Sequence, residues 1–368
     1  MSKVKWVRLG DYISPRNERN SDFRYGVELI EGVNSDGEFQ PTKAITDGID
    51  LKPYKAVWPG DIVYNPSRLN IGSLAYRENG MCIVSHLYQV FHVKEEFQNE
   101  LLPEFLLLWF KRDEFSRIVD YYNYGSQRAE FNLKKLGELM IPLPSLSEQQ
   151  KVVNVWKAFR EIKEQNEAKA APLMQLCQSY IQELKHKYPA QEIGPHLQFF
   201  REKNKDKEIS LEQGINISKE FITPQRSNSD LSSRIKVRTG QFAYCTQLNN
   251  ENVAIAYRTG PDCVVSPVYE VFEIKKESRE QLLPEYLFIW LSRPEFGRYV
   301  YWSSVGSAYE FLRFDNLYAY KIAFPPLDVQ RAIVNIYKCA NEAKLIAAEA
   351  DRLSREVCPA LIQHVIHN

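Results

Sequence analysis

Two ten-residue stretches, LLPEFLLLWF at 101–110 and LLPEYLFIWL at 282–291, are apolar at nearly every position around a Pro-Glu pair. A proline fits the first turn of a helix, where its missing N–H is not needed, so Pro103 and Pro284 mark helix starts. The run behind each is apolar on all sides, which predicts a buried helix with Trp109 and Trp290 packed in the core rather than offered as an aromatic platform. Upstream, GDIVYN (60–65) and MCIVSHLYQVFHV (81–93) are rich in β-branched and aromatic residues and are bounded by Pro59-Gly60 and Asn79-Gly80. GQFAYC (240–245) and DCVVSPVYEVFEI (262–274) have the same character. These segments predict strands. Downstream, Val152, Trp156, Phe159, Ile162, Leu173, Leu176, Tyr180 and Leu184 recur at threes and fours among charged residues, as do Ile333, Tyr337, Ala340, Ala347, Leu353, Val357 and Leu361. That period predicts two long amphipathic helices of about 40 residues, roughly 60 Å each, able to pair as a coiled coil. Ser147 and Asp328 are expected as their N-caps, Ser147 forming a capping box with Gln150, and Pro172 and Pro359 are expected to kink or interrupt them.

These likenesses belong to one internal repeat. At an offset of 181, Ala75-Tyr76-Arg77 falls on Ala256-Tyr257-Arg258, Cys82, Ser85 and Tyr88 on Cys263, Ser266 and Tyr269, and Gly125-Ser126 on Gly306-Ser307. Pro144, Gln149 and Val153 fall on Pro325, Gln330 and Val334. Nearer the front the offset drifts, Gly60 matching Gly240 and Gly32 matching Gly214, as small loop insertions produce. The expected organisation is a globular domain at 1–146 with a spacer helix at 147–188, then a second domain at 189–327 with its helix at 328–368. The fold class is α+β: two repeated α/β domains, each followed by a long helix, the two helices pairing antiparallel.

Composition adds exclusions. Lys+Arg and Asp+Glu both number 47 in 368 residues, so no global field favours nucleic acid, and any basic site is local. The longest uninterrupted apolar stretch, 105–110, is far below the ~18 residues of a membrane span. Lys3, Lys5, Arg8 and Asp11 break up the N-terminal stretch, which does not read as a signal peptide. The six cysteines (82, 177, 245, 263, 339, 358) form no C-x-x-C pair and the six histidines no H-E-x-x-H, so no metal site is expected and a reduced cytoplasm is the simplest setting. Phosphate-loop, dinucleotide-binding and Ser/His/Asp patterns are absent, and YNPSRL (64–69) only begins like the N-P-P-Y of an adenine methyltransferase. No catalytic residue is expected.

The segment LMIPLPSLSEQQKVV (139–153), after a Gly-Ser loop and before a long helix, resembles the specificity (S) subunits of type I restriction–modification systems. WVRLGDYI (6–13) and the order domain, helix, domain, helix share that resemblance, which covers nearly the whole chain. The second copy, AFPPLDVQRAIV (323–334), departs from it at Val329, where the first has Glu148. The resemblance implies a non-catalytic reader of double-stranded DNA in which each domain recognises half of a split, asymmetric site and the helices space the halves. It also implies partners: two modification subunits, which bring S-adenosylmethionine and methylate adenine, and restriction subunits. This chain itself would bind no cofactor. Alternatives are the separate specificity subunit of a type IIB or IIG-like system and a coiled-coil scaffold that does not bind DNA.

A DNA reader needs cations for phosphates and polar side chains for base edges. The stretch 52–77 carries Lys52, Lys55, Arg68 and Arg77 against Asp61, and 231–258 carries Arg234, Lys236, Arg238 and Arg258 against Glu251, predicting two locally basic surfaces. The leading candidates are the loops at 121–135 and 300–314. In the first, Tyr124, Gly125, Ser126, Gln127 and Arg128 precede Lys134 and Lys135; in the second, Gly306, Ser307 and Tyr309 precede Arg313. Gln127 and Arg128 suit adenine and guanine edges, and Ala308 and Tyr309 stand in their place in the second copy. A second tier comprises Arg68 and Asn70 in one copy and Asn249 and Asn250 in the other.

Overall fold

The computed structural model describes residues 4–42, 45–123, 130–225, 230–247, 252–303 and 311–367. It falls into two compact units. One comprises 1–165 together with 346–368, the other 166–345. Neither boundary lies at the end of a helix. Each unit contains one β-rich domain, the adjoining part of its own long helix and a stretch of the other.

The β-rich domains have one topology. In the first, a four-stranded antiparallel sheet has the order Ile13–Pro15, Gln89–Val93, Asp61–Tyr64, Leu74–Tyr76; in the second, Leu197–Phe200, Tyr269–Ile274, Phe242–Cys245, Ile255–Tyr257. The central strand Asp61–Tyr64 is buried throughout, both of its faces being covered. Ile62 and Tyr64 face the cluster built on the buried helix Pro103–Phe110, while Val63 faces Val57, Cys82 and Val84 of a two-stranded sheet. Phe242, Tyr244 and Ala243 divide in the same way around the helix Pro284–Ser292. As expected, both helices begin at the proline and bury Trp109 and Trp290.

A buried glutamine joins each buried helix to its long helix. The Gln149 side chain accepts the Leu102 N–H at 2.9 Å and donates to the Glu100 and Pro144 carbonyls at 2.7 and 2.9 Å. Gln330 repeats the set with the Leu283 N–H and the Gln281 and Pro325 carbonyls. Leu102 and Leu283 are the N-cap residues of the buried helices, where backbone donors lack helical partners.

The long helices, Leu146–Lys187 and Leu327–His367, run 42 and 41 residues, and neither is interrupted by its proline. The first starts earlier than expected: the cap is Ser145, whose Oγ accepts the Glu148 N–H at 3.3 Å, and Ser147 lies within the first turn. Pro326 is the repeat equivalent of Ser145, so Asp328 also lies in the first turn, where its charge suits the helix dipole. Beyond Pro172 the buried seam of the first helix is Cys177, Ile181 and Leu184, whereas Leu176 and Tyr180 are exposed. Of the predicted positions Leu184 joins this seam, while Cys177 and Ile181 take the places predicted for Leu176 and Tyr180. In the second helix the seam is narrow and small, with Ala340, Ala343, Ala347 and Ala350 buried.

Within each unit the start of one long helix lies with the end of the other, which is antiparallel pairing. Val152 and Trp156 share the first core with Cys358 and Ile362, and Lys163 pairs with Asp351 at 3.1 Å. Cys177, Ile181 and Leu184 share the second core with Ile333 and Val334. Cys177 and Cys358, and Ile181 and Ile362, are 181 positions apart, so the two ends do equivalent work.

Two outcomes follow from this architecture. Gln149→Leu leaves the Leu102 N–H and the Glu100 and Pro144 carbonyls without their partner, and is expected to destabilise the first unit by about 2–4 kcal/mol in denaturant titration. A change below half that would show water can replace the clamp. A fragment of residues 1–188 lacks Cys358 and Ile362 but carries their equivalents, and burying an aliphatic side chain of that size is worth about 1.5–3 kcal/mol. It is expected to be a homodimer by light scattering, each copy lending 166–188 to the other's core; a well-folded monomer would contradict this.

Candidate nucleic-acid interface

Two stretches distant in sequence meet on each domain. After the strand Asp61–Tyr64 the chain turns at Asn65, whose side chain accepts the Ser67 N–H at 3.0 Å, and makes a short 3-10 turn at Leu69–Ile71. Gly72 then takes a φ of 92°; a Cβ there would lie 2.3 Å from the Ser35 carbonyl oxygen, so both conformation and space require glycine. The Phe131 N–H donates to the Pro66 carbonyl at 3.1 Å, and Asn70 donates to Asp120 at 2.8 Å. Phe131, fully buried, anchors the chain as it returns from the 121–135 loop. Its equivalent Leu312, also buried, donates its N–H to the Thr246 carbonyl at 2.8 Å. The described segments flanking the candidates therefore meet, 65–70 with Asp120 and Phe131 in the first domain and Thr246 with Leu312 in the second.

The candidates take different positions on and around these junctions. Tyr124, Gly125, Ser126, Gln127, Arg128, Asn249, Asn250, Gly306, Ser307 and Tyr309 lie outside the described residues. Arg68 is exposed, with no ion pair among the described residues, and Asn70 is half-buried against Asp120. Asn132 caps the helix Leu133–Gly137 by accepting the Lys135 N–H, exposing Lys134, while the Lys135 ammonium reaches back to the Glu130 carbonyl. Arg313, equivalent to Asn132, is exposed at the N-cap of Phe314–Tyr318.

Arg77 and Arg258 are placed elsewhere, inside their domains. Arg77 grips Glu31 with two nitrogens at 2.8 and 3.2 Å, donates to the Gly80 and Met81 carbonyls, and stacks over Phe39. Arg258 donates to Gln213 and to the Pro261 carbonyl, both at 2.5 Å, over Phe221. Both guanidinium groups hold an outer hairpin to the central sheet, which leaves them poorly placed for base edges.

The two expected basic surfaces require correction on the same ground. Lys55 is buried and donates to the Tyr88 carbonyl at 2.6 Å; burial first, then Arg19, pushes its pKa down. Lys236, on the equivalent strand of the second domain, lies among Asp206, Glu208 and Glu202 at 2.8, 2.9 and 3.1 Å, which raise its pKa. Arg234 pairs with Glu212, and Arg238 with Glu202 and Asp262. The carboxylates that neutralise the second cluster come mainly from 202–212, well upstream of 231–258. Sequence reasoning also missed Asp120, which holds Asn70, and the exposure of Tyr121 and Trp302 at the helix ends beside the surface. The alignment of one aromatic on the other was the available signal.

Among the described residues no group of three or more His, Cys, Asp or Glu could hold a metal ion, and no helix is long and apolar enough to cross a membrane.

Comparison with known proteins bears on this surface directly. Residues 17–171 match the family model for the type I restriction modification DNA specificity domain. No curated protein matches the chain. Among solved structures, the type I restriction-modification S subunit from M. genitalium is similar over 99% of this chain and 97% of its own, at 13% identity and a TM-score of 0.64. That similarity extends the shared fold across both copies. The HsdS subunit from Thermoanaerobacter tengcongensis aligns over 98% and 96% at 16% identity with a TM-score of 0.40, and a chain from a type I R-M system studied for complex assembly over 98% and 99% at 15% and 0.43. The matched domain, residues 17–171, spans the first interface, and the second domain repeats its strand order and the backbone anchor at its loop base.

Proposed function

We propose that the chain reads a bipartite, asymmetric DNA site, one half with each domain, and positions two adenine-methyltransferase subunits and the restriction subunits on it. The observation that carries this reading is the construction of the two interfaces. Phe131 and Leu312 anchor equivalent loop bases, while the loop residues diverge, Gln127-Arg128 in one copy and Ala308-Tyr309 in the other. One framework with different reading residues is what two different half-sites demand. The partner methyltransferase would bring S-adenosylmethionine, and the complex would act in the cytoplasm, where the DNA is.

Mapping methylated adenines in cells that carry this chain and its partner subunits tests the reading. A split, asymmetric motif is expected, and the 1–188 fragment is expected to direct a palindrome of the first half-site. Absence of any chain-dependent motif would overturn it. Arg128→Ala should cost about 1–3 kcal/mol at one half-site and leave assembly intact, read as affinity on duplexes altered in one half at a time. Arg68→Ala and Lys134→Ala should weaken all duplexes alike and lower the salt slope by about 0.9 each. Arg77→Ala should behave differently, destabilising the first domain by about 2–3 kcal/mol through lost hydrogen bonds. If Arg77→Ala instead left stability unchanged and altered sequence preference, Arg77 would belong to the interface.

A further inference from the structure

The two most exposed aromatic rings among the described residues are Tyr121 and Trp302, at 80% and 74% exposure. One exposed aromatic needs no explanation. Here, though, the two are 181 positions apart, so they occupy one position of the repeat. Each lies in the last turn of the helix leading to the candidate loop, Asp113–Asn123 or Pro294–Ser303.

In the first domain this position is built into the interface. Tyr121 follows Asp120, the acceptor for Asn70. Its ring meets Tyr122 at 5.9 Å, and Tyr122 meets the buried Phe131 at 5.9 Å, a ladder running from the core to the surface. Tyr and Trp differ in polar group and share only a flat, polarisable face. What both copies retain is therefore suited to stacking rather than to reading a base edge by hydrogen bonds. The neighbouring loop positions show the opposite behaviour: their polar groups change between copies.

We propose that Tyr121 and Trp302 are equivalent nucleotide-stacking contacts, one per domain, that seat each reader on DNA without regard to sequence. This rests on the DNA-reading function proposed above. The contact would supply affinity without charge, which suits a chain of net charge zero.

The test uses the full chain assembled with its methyltransferase subunits, and two duplexes: one bearing the motif found by methylation mapping, one unrelated. Binding is measured over a salt series for the wild type and for Tyr121→Ala, Trp302→Ala, Tyr121→Phe and Trp302→Phe. Each alanine variant is expected to weaken both duplexes by roughly ten-fold, with the salt slope unchanged because no cation is lost. The phenylalanine variants should stay near wild type, and the mass of the complex should not change. If the wild type binds and the alanine variants bind equally well, the inference falls while the DNA reading stands. Loss of the methyltransferase subunits in the alanine variants would overturn it differently, making the ring a protein contact. A wild-type complex that binds neither duplex would overturn the DNA reading and this inference with it.

Discussion

The arrangement of each unit depends on one buried amide. Gln149 and Gln330 sit where three backbone groups would otherwise be unpaired: an N–H at the start of the buried helix and two carbonyls on either side of it in the chain. A polar group left unpaired as it is buried costs about 1–3 kcal/mol. A carboxamide offers an acceptor and two donors in one plane, so it satisfies all three at once. The bonds also fix the direction in which the long helix leaves the domain. Anything mounted on that helix inherits the constraint, including its distance from the reading surface.

Around this shared frame the copies solve the same local problems with different charges. Asp61 is buried, accepts the Trp58 N–H at 2.8 Å and pairs with Arg16; burial still raises its pKa, despite these partners. Gln241 accepts the Arg238 N–H at the same 2.8 Å in the second copy with no charge to desolvate. Ala56 and Lys236 form another such pair: their N–H groups donate to the Glu18 and Glu202 carbonyls at 3.0 and 2.8 Å, but one side chain is apolar and the other is surrounded by carboxylates. The backbone geometry is retained while the electrostatics drift. Formal charge along a stretch of this sequence is therefore a poor guide to the field at its surface.

That contrast also explains what could be read from the sequence. The buried helices were legible because an apolar run behind proline admits few other solutions, and the central strands because both faces are covered. The duplication was legible because packing residues such as Cys82 and Cys263 changed little. The cap at Ser145 and the Cys177–Ile181 seam were displaced by one or two residues, since a helical period fixes the stripe less tightly than a cap's geometry or a neighbour's shape does. Least legible was the charge: the partners of Arg77 and Lys236 arrive from segments more than twenty residues away, and no local stretch contains them. Of the candidate surface, the meeting of the 65–70 and 130–135 segments depends on backbone bonds that leave no compositional trace.

The division of the chain into 1–165 with 346–368, and 166–345, also governs the order in which the protein can form during synthesis. The first domain emerges before the second, yet its core lacks Cys358 and Ile362 until the second unit has also been made. At ~5–20 residues per second the delay is roughly ten to forty seconds, far longer than a helix needs to form. During that interval Val152 and Trp156 stand without their final partners, while every residue of the second unit becomes available some twenty residues earlier. The two cores are thus completed in the reverse of the order in which they are begun, the helix turns at Cys358 and Ile362 closing the first.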